Sequence, residues 1–317
     1  MALAHLGVAR HKDGQTERRC GHGPKLPVID VYPKCVGAKA KLRLAVRNLR
    51  DESVRAARVA VSPVAPNLKL MTWRPPAGGD NFGDALGPPI CEAQVQRLGR
   101  SVDRPATRRR LWTVGSVLHR TRAGDVVWGS GANGNALGHN LARSVDIRAV
   151  RGPLTAQWVA DQGRPAPTVF GDPALLLPTL MPEFVRTEDS RSDAPTLLVP
   201  HMDDMSTAHE LATDAVLLVS PFGPWRDCVA ALASARLVVA SSLHALIVAE
   251  AFGVPARMLR VSEREPTFKY RDYYESTGRS DFAFARSLAE ALEMGGERPG
   301  HIDLAPLLAA FPIELWH

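Results

Sequence analysis

From residue 67 to the end of the chain, short apolar runs of strand length alternate with helix-like stretches, and each run is stopped by glycine, proline or a polar side chain. This alternation constrains the fold most, because strand, helix and strand in succession pack as a parallel sheet covered by helices, an α/β architecture. In the first half the segments are NLKLMTW (67–73), TRRRLWTVGSVL (107–118), DVVWGSGANGN (125–135), IRAVRGPLTAQWVADQG (147–163) and TVFGDPALLLP (168–178). The fourth reads as a strand passing into a helix with Pro153 in its first turn. The fifth reads as a strand with Asp172 just beyond its carboxyl end. A polar, proline-bearing stretch (181–195) breaks the pattern, and TLLVPHMDD (196–204), DAVLLVSP (214–221) and ARLVVASSLHALIVAEAFGVPARML (235–259) restart it. Two consecutive α/β halves predict two open parallel sheets facing each other, with ligands in the cleft at the carboxyl ends of the strands. The expected division is an extension over 1–66, a first domain over 67–180, a linker over 181–195 and a second domain over 196–317.

The 317 residues carry a formal charge of +6, a balance that ordinarily points to nucleic acid or another anionic surface. The charge is unevenly placed: 1–66 holds 13 basic and 5 acidic side chains, while the rest holds 26 and 28. The α/β part is slightly acidic, so no nucleic-acid partner is expected. The front segment reads as a poorly ordered basic extension, in which 42–61 could form a basic helix; the alternative is a functional arm that meets a membrane surface. Cysteines at 20, 35, 91 and 228 include no CxxC pair, and no His/Cys spacing matches a zinc module, so neither a disulfide framework nor a metal is expected. The first nine residues are too short for a signal-peptide core and no run of about 18 apolar residues occurs, which predicts a soluble, cytoplasmic protein.

Gly129, Gly131 and Gly134 form G-x-G-x-x-G directly after DVVW. A dinucleotide site also needs an acidic residue about 20 positions on, and the next strand ends in Arg151 instead. The remaining readings are a tight turn or a loop whose amides face a ligand. Phosphate-loop, zinc-protease and nucleophile-elbow motifs are absent from the sequence. Four strand-end segments are more informative as an ordered set: GDNFGDAL (79–86), AVRGPLT (149–155), FGDPALLLP (170–178) and SSLHALIVAEAFGVP (241–255). Each sets a polar or ionisable side chain between an apolar strand and a helix start.

In order and spacing these segments resemble the polysaccharide pyruvyl transferase family, and FKYRDYYESTGR (268–279) is similar to its exopolysaccharide ketal-forming members. The resemblance covers about 67–317. It implies two Rossmann-like domains in a GT-B-like arrangement and transfer of pyruvate from phosphoenolpyruvate to two sugar hydroxyls as a cyclic ketal. Phosphoenolpyruvate is then a substrate and no cofactor is implied; the acceptor is a lipid-linked or soluble oligosaccharide, met in the cytoplasm or at the inner face of the membrane. Alternatives on the same architecture are a nucleotide-sugar glycosyltransferase and a non-catalytic sugar-binding protein of a polysaccharide assembly complex.

The reaction needs cations or helix N-termini for the donor's carboxylate and phosphate, and a general acid for its methylene carbon. His244, at a helix start after ARLVVA, is the candidate acid, with a pKa expected near neutrality; otherwise it caps or packs. Many family members have Ser-Arg-x-His here, whereas this chain has Ser241, Ser242, Leu243 and His244, so Ser242 stands where the arginine would be. Donor binding is therefore expected from Arg151, Ser241, Ser242, Lys269 and Arg271, with the Gly129 and Gly131 amides. A structural ion pair is the other reading for Arg151, and a solvated loop the other for Lys269 and Arg271. Asp84, oriented by Asn81, is expected to bind the acceptor hydroxyls or take their proton, and Asp172 is expected on the acceptor side; capping is the alternative for Asp84 and a structural turn for Asp172.

Overall fold

The computed structural model describes residues 68–75, 80–186 and 193–317, so the basic front segment and its candidate helix lie outside the described residues. The β-branched and leucine-rich runs form two sheets. Strands β1 (Lys69–Met71), β2 (Arg110–Trp112), β3 (Val126–Trp128) and β4 (Asp146–Ala149) pair in parallel in chain order. Strands β5 (Thr196–Val199), β6 (Val216–Leu218), β7 (Leu237–Ala240), β8 (Ala256–Leu259) and β9 (Phe284–Ala285) form a second parallel sheet in the order β6-β5-β7-β8-β9.

Both sheets are buried on both faces, as parallel sheets flanked by helices are. In the first, Leu111, Val126, Trp128 and Ala149 join one core cluster, while their neighbours Trp112, Val127 and Val150 join another. In the second, Leu197, Val199, Val238 and Ala240 alternate with Leu198, Val239 and Leu218 in the same way. This is why the strands read as continuous apolar runs. Leu198 is fully buried, and its truncation to Ala would cost about 2–5 kcal/mol.

The helices are α1 (Gly87–Arg97), α2 (Pro153–Asp161), α3 (Leu177–Leu180), α4 (Met205–Leu211), α5 (Trp225–Ala233), α6 (Leu243–Ala251), α7 (Phe268–Ser276), α8 (Leu288–Met294) and α9 (Ala305–Ala309). Helix α2 has Pro153 at its first position, as expected. Helix α6 is apolar almost all round, and such a helix must be covered on every side. It packs on its own strand β7 and on the 3-10 helix Pro173–Leu176 of the first half. A single core cluster consequently runs from Phe82 and Leu86 through Leu176 to Leu246 and Val248.

Two expectations need correction. The run at 168–178 makes only a single parallel bridge, Val150 to Phe170, because Gly171 turns with φ 134° and Pro173, which has no N–H to pair, opens a 3-10 helix. The solvated-loop reading of 268–279 also fails: 268–276 is helix α7, with Lys269, Tyr270, Asp272, Tyr273 and Tyr274 buried. Two of its phenols are satisfied at a distance, Tyr270 Oη donating to the Ser241 carbonyl (2.7 Å) and Tyr273 Oη to Glu250 Oε2 (2.7 Å), while the buried Tyr274 Oη has no hydrogen-bond partner. The carboxyl-terminal residues return to the first sheet. There Trp128 Nε1 donates to the Leu307 carbonyl (2.8 Å), and Phe311 meets the Trp128 ring edge-on at 4.8 Å. Among the described residues no helix is long and apolar enough to cross a membrane, and Cys91 and Cys228 are buried free thiols.

Candidate active site

The carboxyl ends of strands from both sheets bring one cluster of ionisable groups together. After β1, Asn81 Oδ1 accepts from the Gly83 amide (3.0 Å), a turn that sets Asp84 at the start of a 3-10 helix. Asn81 thus shapes the turn; Gly83, not Asp84, occupies the cap position. Gly83 lies flat against His244, and a Cβ there would overlap the imidazole. His244 is the second residue of α6, and its Nε2 is 4.0 Å from Asp172 Oδ2. Both atoms are buried and neither has a hydrogen-bond partner.

Burial dominates the protonation of these groups. The Asp84 carboxyl is pushed up to about 7 by desolvation, with Lys269 and Arg120 opposing and Asp172 reinforcing. Asp172 is raised to about 6, again by desolvation, although the Ala174 amide and Arg151 favour its charged form. His244 moves the other way, to about 3, because desolvation and then the charges of Arg151 and Lys269 penalise the imidazolium. The expectation of a near-neutral pKa is corrected: in the ligand-free protein His244 is an uncharged imidazole. It is not sealed off, since 12% of its side chain reaches solvent.

Arg151 is fully buried and committed within the protein. Its Nε donates to Asp272 Oδ2 (2.9 Å), Nη1 to Ser116 Oγ (2.6 Å) and Nη2 to the Ala132 carbonyl (3.0 Å). Asp272, on α7, also accepts from the Thr155 amide (2.8 Å) and hydroxyl (2.7 Å). It therefore caps α2, whose own cap residue is Gly152, from the other half of the chain. The structural reading of Arg151 is the one realised. The same pillar explains the glycine motif: a Cβ at Gly129 would strike Pro173, at Gly131 the Arg151 guanidinium, and at Gly134 Pro266 and Phe268. Gly129 and Gly131 make room for protein, and their amides donate to the Ala149 and Gly115 carbonyls (both 2.9 Å).

Lys269 is buried beside the cluster with Nζ 2.7 Å from Glu265 Oε2, whereas Arg271 is half-exposed and pairs with Glu275 at 3.3 Å, away from the site. Ser241 Oγ donates to Asp204 Oδ2 (2.8 Å) and accepts from the His201 amide (2.8 Å). Ser242 caps α6 with no side-chain hydrogen bond to its amides. Glu265, His201, Asp204, Asp272 and Arg120 escaped the sequence reading. Asp272 lies within FKYRDYY, and His201 and Asp204 end the strand run TLLVPHMDD, but nothing local marks Glu265 or Arg120. Arg120 is exposed, acts on Asp84, and its guanidinium makes no hydrogen bond or ion pair among the described residues. His201, Asp203 and Glu265 offer ligand atoms within 4.8 Å of one another. However, His201 Nδ1 accepts from the Asp203 amide (3.4 Å), burial pushes the imidazole pKa below its ordinary value, and Glu265, 3.9 Å from Nε2, is already paired with Lys269. A surface hollow of about 470 Å³ lined by Gln96, Gly99, Arg100, Ser101, Val102 and Asp103 contains none of these groups.

The profile of the family described as "Polysaccharide pyruvyl transferase" matches residues 81–263, more than half of the chain and the stretch that carries Asp84, Arg151, Asp172 and His244. The chain belongs to the polysaccharide pyruvyl transferase family. Within this pyruvyl transferase family assignment, Lys269 and helix α7 lie beyond the matched span. The chain is 33% identical over 174 residues to "Succinoglycan biosynthesis protein ExoV" of Rhizobium meliloti (strain 1021), a match covering 52% of each protein. It thus spans about half the length of the curated relative it matches. A crystal structure of the uncharacterized protein KP1_0663 from Klebsiella pneumoniae subsp. pneumoniae NTUH-K2044 aligns with TM-score 0.34 and 14% identity, over 65% of this chain and 87% of that one. That similarity is too low to bear on fold or function.

Proposed function

We propose that this protein transfers pyruvate from phosphoenolpyruvate to two hydroxyls of a saccharide in a polysaccharide precursor, forming a cyclic ketal and releasing phosphate. Family membership supports the reaction class. The observation that carries the site is the convergence of Asp84, Asp172 and His244 with Lys269 of helix α7, beside the amino end of α6. In this reading the two sheets act as the facing halves of a GT-B-like enzyme, with the donor at the α6 amino end, where free amides and the helix dipole favour an anion. Lys269 exchanges Glu265 for the donor, and Arg120 supplies the charge that Ser242 does not. Asp84, Asn81 and Asp172 face the acceptor, a lipid-linked or soluble oligosaccharide in the cytoplasm or at the inner membrane face.

A donor with up to three negative charges offsets the two cations that depress His244, so the imidazole gains its proton as the donor binds and becomes the acid for the methylene carbon. Ligand-induced thermal stabilisation tests the assignment. Phosphoenolpyruvate should raise the unfolding temperature and nucleotide sugars should not; the opposite result would make the protein a glycosyltransferase, and no response to either would favour a sugar-binding role.

A further inference from the structure

Asp172 has one oxygen engaged and one free. Its Oδ1 accepts from the Ala174 amide (3.0 Å) and caps the 3-10 helix Pro173–Leu176, which fixes the carboxylate plane. Its Oδ2 is left without a partner, fully buried, 4.0 Å from His244 Nε2, which is also unpartnered. Two orphaned polar atoms aimed at one gap are costly in an empty protein, about 1–3 kcal/mol each, and imply an occupant that satisfies both. The gap suits a hydroxyl. An oxygen about 2.8 Å from both atoms subtends an angle of about 90°, and about half an ångström of opening makes it tetrahedral. A hydroxyl there can donate to Asp172 and accept from His244.

We propose that Asp172 and His244 form an acid–base dyad acting on one addition, Asp172 receiving the proton of the attacking acceptor hydroxyl while His244 delivers its proton to the donor's methylene carbon. This rests on the transferase reading above. The hydroxyl oxygen bonds to C2, the π pair of the double bond takes the Nε2 proton onto the methylene carbon, and the hydroxyl proton ends on Asp172 Oδ2. That proton crosses the gap to Nε2 and resets the pair, so no external acid or base is consumed. Both groups stand on one side of the donor. Reacting atoms approach at about 3–3.5 Å, so groups on opposite faces of a planar alkene would stand about 6 Å or more apart. The other charges that reach the imidazole are Arg151, Lys269 and His201, and the ring rests on Gly83; Asp84, the other carboxyl of the cluster, feels the Asp172 charge but is not among the groups that act on the imidazole.

The test is Asp172→Asn, in which the side-chain carbonyl can keep the Ala174 cap while the free oxygen becomes a donor. Nitrogen-15 NMR of the ligand-free protein should show His244 as the Nε2–H tautomer in the wild type and the Nδ1–H tautomer in the variant, a change that a purely structural cap would not cause. The variant should also lose about 100-fold or more in turnover, the usual span of acid–base catalysis, with phosphoenolpyruvate affinity retained. An Nδ1–H tautomer in the wild type, or a tautomer indifferent to Asp172→Asn, would overturn the dyad. A wild type that neither binds phosphoenolpyruvate nor releases phosphate would contradict the transferase reading, and the tautomer measurement would still judge the pair.

Discussion

Asp272→Ala should be among the most damaging single changes in the chain, although Asp272 lies on a tyrosine-rich helix outside the matched family span. The side chain is fully buried and holds the equally buried Arg151, the Thr155 amide and the Thr155 hydroxyl. Removing it leaves a guanidinium in the interior without its counter-charge, a loss of about 3–5 kcal/mol. The cap on α2 goes at the same time, worth about 0.5–2 kcal/mol by itself but overlapping with the first term, since both run through one carboxylate. A net loss of about 4 kcal/mol corresponds to a fall of about 8–16 °C in unfolding temperature, at roughly 2–4 °C per kcal/mol. Thermal and urea unfolding of the purified protein measure it. The double variant Arg151→Met/Asp272→Leu removes both charges together and should recover most of the loss. A destabilisation below about 1 kcal/mol for Asp272→Ala would refute the account of Arg151 as a pillar between α2 and α7.

Arg120→Ala should weaken phosphoenolpyruvate binding about tenfold without changing unfolding, read by calorimetry, because its guanidinium is exposed and unpaired among the described residues. Phosphoenolpyruvate binding should be accompanied by proton uptake at pH 7, since His244 is held near 3 until the donor's charge arrives; titrations in two buffers of different ionisation enthalpy measure it, and zero uptake would count against His244 as the acid. Asp84 is raised to about 7 in the folded state against an unfolded value near 3.8, so between these pH values the unfolded chain sheds a proton that the folded one keeps, and stability falls as pH rises. Asp84→Asn removes that dependence, and its stability relative to wild type should climb from about pH 4 to 7 and then level off in urea unfolding.

Much of the strand framework was legible because both faces of each sheet are buried, so runs such as LVVA at 237–240 stand out without any tertiary information. Helix α2 was legible from Pro153 and helix α6 from its unbroken apolar sequence. Of the candidate residues, Asp84, Asp172 and His244 converge from segments that follow apolar runs, while Lys269 joins them from helix α7, whose place no local pattern gives. What failed had its cause elsewhere in the chain. Arg151 looks like an anion binder until Asp272, 121 positions away, takes its guanidinium. The glycine loop 129–134 looks like a ligand cradle until Pro173, Arg151 and Pro266 fill the space. The solvated-loop alternative for FKYRDYY stayed open because its partners Ser241, Glu250, Thr155 and Arg151 are invisible from its own composition. The ligand-free protonation of His244 was not legible, since desolvation depends on neighbours that no local pattern records.

The most direct measurement of the central claim is phosphate release from phosphoenolpyruvate by the purified protein, with a panel of lipid-linked and soluble oligosaccharides and product mass read in parallel. Phosphate should appear only when an acceptor with a suitable pair of hydroxyls is present, and that acceptor should gain the mass of one pyruvate less one water. His244→Ala should abolish at least 99% of the rate while phosphoenolpyruvate still protects the protein from heat. Release of phosphate without a heavier acceptor, or an undiminished rate in His244→Ala, would contradict the account.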